Sequence, residues 1–67
     1  MEKKLYYGKT ELAMKYYPDM APDNARRRMM KEIHDDQIIM RRLRELKYRK
    51  TQKVFTYKQM KVIEEEL

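Results

Sequence analysis

Apolar residues fall at helical spacing in four stretches of the chain and lose that spacing in one. Leu12, Ala13 and Tyr16 share a face, Ala25, Met29 and Ile33 make a second stripe with Met30 at its edge, and Ile39, Leu43 and Leu46 make a third. Met60, Ile63 and Leu67 repeat the pattern near the end, with Val62 opposite them and therefore expected on the surface. Between the third and fourth stripes, Tyr48 to Phe55 breaks the period, and Val54-Phe55 is the one plausible strand fragment.

Punctuation residues divide these stripes into helices. Thr10 can cap the first, and Pro18 ends it at Tyr17. The connection Pro18-Asp19-Met20-Ala21 leads to Pro22, which suits the first position of a second helix, with Asp23 near the positive end of its dipole. Ala21 offers that helix no side-chain cap. Asp35 or Asp36 caps the third helix, and Thr56-Tyr57-Lys58-Gln59 matches a capping box opening the fourth. Glu64, Glu65 and Glu66 stand at the negative end of that last helix, so its final turn is expected to fray. The pattern predicts a mainly α chain, one domain over 1–67, built as a helix-turn-helix of about four short helices. Residues 48–55 read either as an irregular basic loop or as a minimal β wing of a winged-helix-like fold. They hold no Gly, Asn, Asp or Pro to turn a tight hairpin.

Composition limits what such a domain can bury. Of 67 residues, the strong core formers are five Leu, four Ile, two Val and one Phe, so seven Met and six Tyr must supply much of the packing. A domain of this size and content is marginal, and self-association would help it. The absence of cysteine removes any disulfide framework or thiolate metal site, as expected of a cytoplasmic protein. The Met1-Glu2-Lys3-Lys4 start and the short Leu5-Tyr6-Tyr7 run are too brief for a signal-peptide core, and no apolar run approaches a membrane span.

Charge changes the picture further. From Asn24 to Lys61, thirteen Lys and Arg face only four carboxylates, against a net charge of +6 for the whole chain. A concentrated basic field attracts polyanions, nucleic acid first. Advancing about 100° per residue along the second helix gathers Asn24, Arg27, Arg28 and Lys31 opposite the Ala25, Met29 and Ile33 stripe. Their i, i+3, i+4, i+7 spacing would lay four side chains into one groove, where Arg can grip guanine or phosphate and Asn can pair with adenine. Arg26 falls nearer the stripe and would reach a flanking phosphate. The ordinary alternative is that these cations only solvate an exposed helix face. Ala13 supports a close approach of the first helix to the second, and Arg49, Lys50 and Lys53 would meet backbone phosphates beside the groove.

Other constellations lead elsewhere or nowhere. His34-Asp35-Asp36 are consecutive, so on a helix they point apart and cannot converge on a metal; a helix end followed by a new cap explains them. Arg41, Arg42 and Arg44 beside Glu45 read as a solvated face with local pairs, from which Arg41 could extend a DNA-facing surface. Tyr6-Tyr7 and Tyr16-Tyr17 could stack on bases, but Tyr16 shares Leu12's face and reads as packing. Gly8 is the single glycine, so no Gly-rich phosphate cradle exists. No enzyme, cofactor, metal or small-molecule substrate is expected.

The string Tyr7-Gly8-Lys9-Thr10-Glu11-Leu12-Ala13, then Tyr16-Tyr17-Pro18, the Pro22 start with Ala25 and Arg26-Arg27, then Leu46-Lys47-Tyr48-Arg49 and Phe55-Thr56, resembles a family of short proteins from gut anaerobic bacteria classed as a domain of unknown function. More loosely, the chain is similar to MerR-type and excisionase-like winged helices, in which a Glu-Leu-Ala first helix precedes the reading helix and a Phe-Thr step opens a later one. That likeness implies Asn24, Arg27, Arg28 and Lys31 as DNA-facing residues. The chain departs from it in lacking a glycine-turned wing. Two functions are therefore expected to compete: a small DNA-binding protein that inserts its second helix in the major groove, alone too small to read many base pairs and so in need of a homodimer or protein partner, and a protein interaction module whose basic face meets an acidic partner. RNA or membrane-surface binding through undirected charge is a weaker third.

Overall fold

In a computed structural model of the chain, which describes residues 6–67, the order is β1 (Tyr6–Gly8), α1 (Lys9–Tyr16), α2 (Pro22–Asp35), α3 (Gln37–Glu45), β2 (Val54–Thr56) and α4 (Tyr57–Glu66). Residues 1–5, which hold most of the short run read against a signal-peptide core, lie outside the described residues. The architecture is mainly α with one two-stranded antiparallel sheet, as the apolar spacing predicts.

Local chemistry sets most helix boundaries. Pro22 occupies the first turn of α2, where its missing N–H costs nothing, and Ala21 caps without a side-chain bond. Asp36, rather than Asp35, caps α3 by accepting hydrogen bonds from the Ile38 and Ile39 amides at 2.9 and 3.1 Å. At α4 the capping box forms in full: Gln59 N–H donates to Thr56 Oγ1 and Thr56 N–H donates to Gln59 Oε1. The start of α1 differs from expectation. Gly8, ending β1 in an extended conformation, takes the cap position without a side-chain bond, and Thr10 lies inside the helix. The chain leaves the strand and enters the helix with no residue between, which leaves Thr10 no place outside the first turn.

The end of α3 uses a residue the sequence does not advertise. Lys47 adopts a left-handed φ of 65°, its N–H donates to the Arg44 carbonyl, and the Tyr48 N–H reaches back to the Leu43 carbonyl. This is the Schellman geometry usually given to glycine. It turns the chain into the 48–53 segment.

Tyr6, Tyr7 and Gly8 pair with Thr56, Phe55 and Val54 respectively, so the strand fragment Val54-Phe55 finds its partner at the other end of the chain. The two strands do not form a hairpin within 48–55. Residues 48–53 are an irregular loop tightened by a Gln52 N–H bond to the Arg49 carbonyl. Alternation along β2 sends Phe55 inward, fully buried, and leaves Val54 more exposed.

The core lies where α1, α2, α3 and α4 meet the inner face of this sheet. Leu12, Ala13, Ala25, Met29, Ile33, Ile39, Leu43 and Ile63, drawn from the four stripes, are buried, together with Phe55 of β2. Ala13 is fully buried where α1 packs on α2. Val62 overturns its expectation: it is only 5% exposed. The helix α4 packs against α3 and against both strands, so neighbours on two sides bury more than one stripe. Leu67, placed with the buried stripe, is 38% exposed beyond the helix end.

Two further contacts were not readable from local pattern. Arg42 reaches across to α4, which is helical through Glu66, and donates to Glu65 Oε2 at 2.9 Å and Glu66 Oε1 at 3.0 Å. The fork answers the carboxylates that oppose the helix dipole. Tyr48, which belongs to no stripe, stacks on Phe55 with ring centroids 5.6 Å apart and is 6% exposed. Its buried hydroxyl has no hydrogen-bond partner among the described residues. Burial also pushes the phenol above its ordinary pKa. Removing that oxygen relieves an unmatched polar atom, so Tyr48→Phe should raise stability by about 1 kcal/mol in a urea melt. A loss of stability in that melt would mean the hydroxyl is satisfied in solution.

Candidate nucleic-acid interface

The helix α2 presents its buried stripe to the core and its opposite face to solvent. Asn24, Arg27, Arg28 and Lys31 are all exposed, as the helical wheel predicts. They are not equivalent. Among the described residues neither Arg27 nor Lys31 has a carboxylate within ion-pair distance. Arg28 is held locally: its Nε lies 3.3 Å from Glu32 Oε1, and its guanidinium sits 5.3 Å from the Tyr17 ring centroid. The Tyr17 hydroxyl donates to the other Glu32 oxygen at 2.5 Å. That hydrogen bond, together with desolvation, raises the Tyr17 pKa. Arg28 therefore belongs to a cluster that ties the end of α1 to α2, and the free face narrows to Asn24, Arg27 and Lys31. The i, i+4 relation of Arg28 to Glu32 was visible in the sequence and is the signal that could have separated it.

Arg26 lies at the other edge of α2, half-buried, and pairs weakly with Asp23 at 3.7 Å. It lines a cleft of about 380 Å³ with Lys9, Lys50 and Lys53, in which Glu11 is the one carboxylate among the described residues. Lys9, not expected to take part, folds over the Tyr48 and Phe55 rings, its Nζ 5.5 and 5.9 Å from their centroids, and donates to the Lys50 carbonyl at 3.4 Å. Burial, and then the nearby Arg26 charge, lower its pKa. A long basic side chain covering aromatic surface with its stem leaves no periodic trace in a sequence.

The loop residues Arg49, Lys50 and Lys53 are exposed, and the structure divides them. Lys50 and Lys53 converge on the Arg26 cleft, and Lys50 also borders a second cleft with His34, Arg41 and Arg44. Arg49 lines neither of these clefts. His34 was set aside as part of a helix end, yet it lies seven residues after Arg27, at a spacing that returns to the same side of the helix. Partial desolvation, then the positive charges of Lys50 and Lys9, hold its imidazole below the ordinary histidine value, against the opposing pull of Asp35.

The exposed face of α2 and the loop thus border one another through Arg26, His34 and Lys50, and Lys9 of α1 and Arg41 and Arg44 of α3 extend this cationic surface. Such a surface attracts polyanions and can contact several phosphates at once. No helix among the described residues is long and apolar enough to cross a membrane. A family model described as a domain of unknown function, DUF4248, matches residues 3–67, and the chain belongs to that family. No curated protein and no solved structure matches it.

Proposed function

We propose that this DUF4248 chain is a small double-stranded DNA-binding protein that lays the exposed face of α2 into the major groove. Arg27 and Lys31, with Asn24, face the bases, while Lys50, Lys53 and Arg49 hold the flanking backbone. The observation that carries this reading is the solvent-facing row Asn24, Arg27, Lys31, whose cations have no ion-pair partner among the described residues. A solvated face needs no such neighbouring cationic clefts, whereas a groove-binding helix uses them to fix its register. A single copy would read few base pairs, so a homodimer or a protein partner completes the site. The role places the protein in the cytoplasm, with bacterial DNA.

Fluorescence anisotropy with labelled duplexes tests this. Affinity should fall steeply as salt rises, because phosphate contacts release counterions. Arg27→Ala and Lys31→Ala should each reduce discrimination between sequences, Arg27→Ala by about 1–3 kcal/mol. Lys50→Ala and Lys53→Ala should weaken all duplexes alike and lower the salt slope by about one each. Arg28→Ala should act chiefly on stability, through Tyr17 and Glu32. If no duplex binds at low salt, the reading falls, and the basic face belongs to an interaction module for an acidic protein.

A further inference from the structure

The second cleft shares Lys50 with the proposed backbone contacts and adds His34, Arg41 and Arg44, to which groove reading gives no role. It measures about 540 Å³ and lies between the last turn of α2, the outer side of α3 and the 48–53 loop. His34 comes from α2, Arg41 and Arg44 from α3, and Lys50 from the loop, while Ile38 and Met40 supply an apolar wall. Among the described residues no carboxylate lines it. Among the described residues neither Arg41, Arg44 nor Lys50 has an ion-pair partner. Arg41 and Arg44 stand one turn apart on α3, so both guanidinium groups can reach one point. By contrast their neighbour Arg42 points away and is consumed by Glu65 and Glu66.

Three permanent cations and an imidazole gathered from three segments repel one another unless an anion joins them. Two arginine forks, an ammonium and a ring N–H match the oxygens of a tetrahedral oxyanion. The volume is larger than one phosphate needs and lies in the range of small-ligand sites. Ile38, 52% exposed at the mouth, gives the remaining space an apolar surface.

We propose that this cleft binds a phosphate group together with the organic body it is esterified to. Arg41 and Arg44 grip the phosphate oxygens, Lys50 closes the third side, and the organic body rests on Ile38 and Met40. The phosphate can belong to a free phosphomonoester or to the backbone of a nucleic acid, and the chemistry of recognition is the same. The site shares Lys50 with the proposed backbone contacts but contains none of Asn24, Arg27 and Lys31, so variants at Arg41 and Arg44 test it separately from groove reading.

The chain's one histidine reports on it directly. The charged groups around His34 are Lys50 and Lys9, which depress its pKa, Asp35 on its own helix, which raises it, and Arg41 and Arg44, which line the same cleft from α3. A bound phosphate adds negative charge beside the ring, favours imidazolium, and must raise the His34 pKa. The experiment follows the imidazole C–H resonance of the full chain through pH titrations at constant ionic strength, held with sodium chloride. The additions are inorganic phosphate, adenosine monophosphate or a short blunt duplex.

The proposal expects at least one addition to raise the His34 pKa. A rise with the monophosphate but not the duplex assigns the site to a free ester, and a rise with the duplex alone assigns it to backbone phosphate. Arg41→Ala and Arg44→Ala, both at exposed positions, should each weaken the effective ligand by about tenfold and shrink the shift, with helix content unchanged. Arg27→Ala and Lys31→Ala should leave the response to monophosphate intact, even where they abolish sequence discrimination. A His34 titration that no addition moves overturns the proposal, as does a shift that persists unchanged in the Arg41→Ala, Arg44→Ala double variant.

Discussion

Phe55→Ala is expected to leave the chain without a cooperative unfolding transition at 25 °C. Phe55 is the single phenylalanine, fully buried, stacked on Tyr48 and carried by the strand that joins the two ends of the molecule. Truncating a buried Phe to Ala typically costs about 3–5 kcal/mol, from lost transfer energy and the cavity left behind. A domain this small, with so few branched core residues, is held by a free energy of about the same size. Loss of the ring also removes the surface over which Lys9 folds, so the cleft shared by Lys9 and Lys50 should open. Circular dichroism during a urea titration reads the outcome. A variant that still unfolds cooperatively, with its stability lowered by under about 1 kcal/mol, would show that the sheet is not central to the core.

Gln59→Leu should be the next most damaging change, although it puts an apolar residue in a position that is 1% exposed. The Gln59 side chain completes three connections. Its Oε1 accepts from Thr56 N–H at 3.0 Å and from Gln52 Nε2 at 2.5 Å, and its Nε2 donates to the Leu46 carbonyl at 3.1 Å. One amide therefore starts α4, fastens the end of α3 and anchors the basic loop. Leucine fills similar space but leaves those partners unmatched, at a cost of about 2–4 kcal/mol. The signature should be a lower denaturation midpoint together with faster amide exchange across residues 46–56. Gain of stability in the leucine variant would mean that burial outweighs this network.

These two residues also show where sequence reading succeeds and where it stops. The Thr56 and Gln59 pair is legible because a capping box is local, and so are Pro22, a cap at Asp35 or Asp36 and the Ala25, Met29, Ile33 stripe. Each depends on neighbours within one or two turns. That Gln59 would also be buried and bonded to Leu46 was not legible, because nothing local distinguishes a cap glutamine from a tertiary anchor. The pairing of Tyr6–Gly8 with Val54–Thr56 joins strands of three residues from opposite ends of the chain, too short for either to show alternation. Val62 was read as exposed because a wheel counts one buried face, whereas α4 has neighbours on two sides.

The candidate site divides in the same way. Exposure of Asn24, Arg27 and Lys31 follows from helical geometry alone, and the structure places them as the sequence does. The commitment of Arg28 depends partly on Tyr17, whose approach is set by how α1 crosses α2. Lys9, His34 and Arg44 enter the cationic surface only because the chain turns at Lys47 and brings the loop back past α2 and α3. Charge along the sequence is a one-dimensional quantity, and clefts are made when distant segments meet.

The central claim is that duplex DNA is met by the outer face of α2 with the adjoining loop. Amide chemical-shift mapping of the labelled chain, titrated with a short duplex at low salt, tests it most directly. The account predicts perturbations gathered at Asn24, Arg27 and Lys31 and across residues 49–53, fading together as salt is added. Perturbations gathered on α1 and α4 with α2 silent, or no perturbation by any duplex, would contradict it.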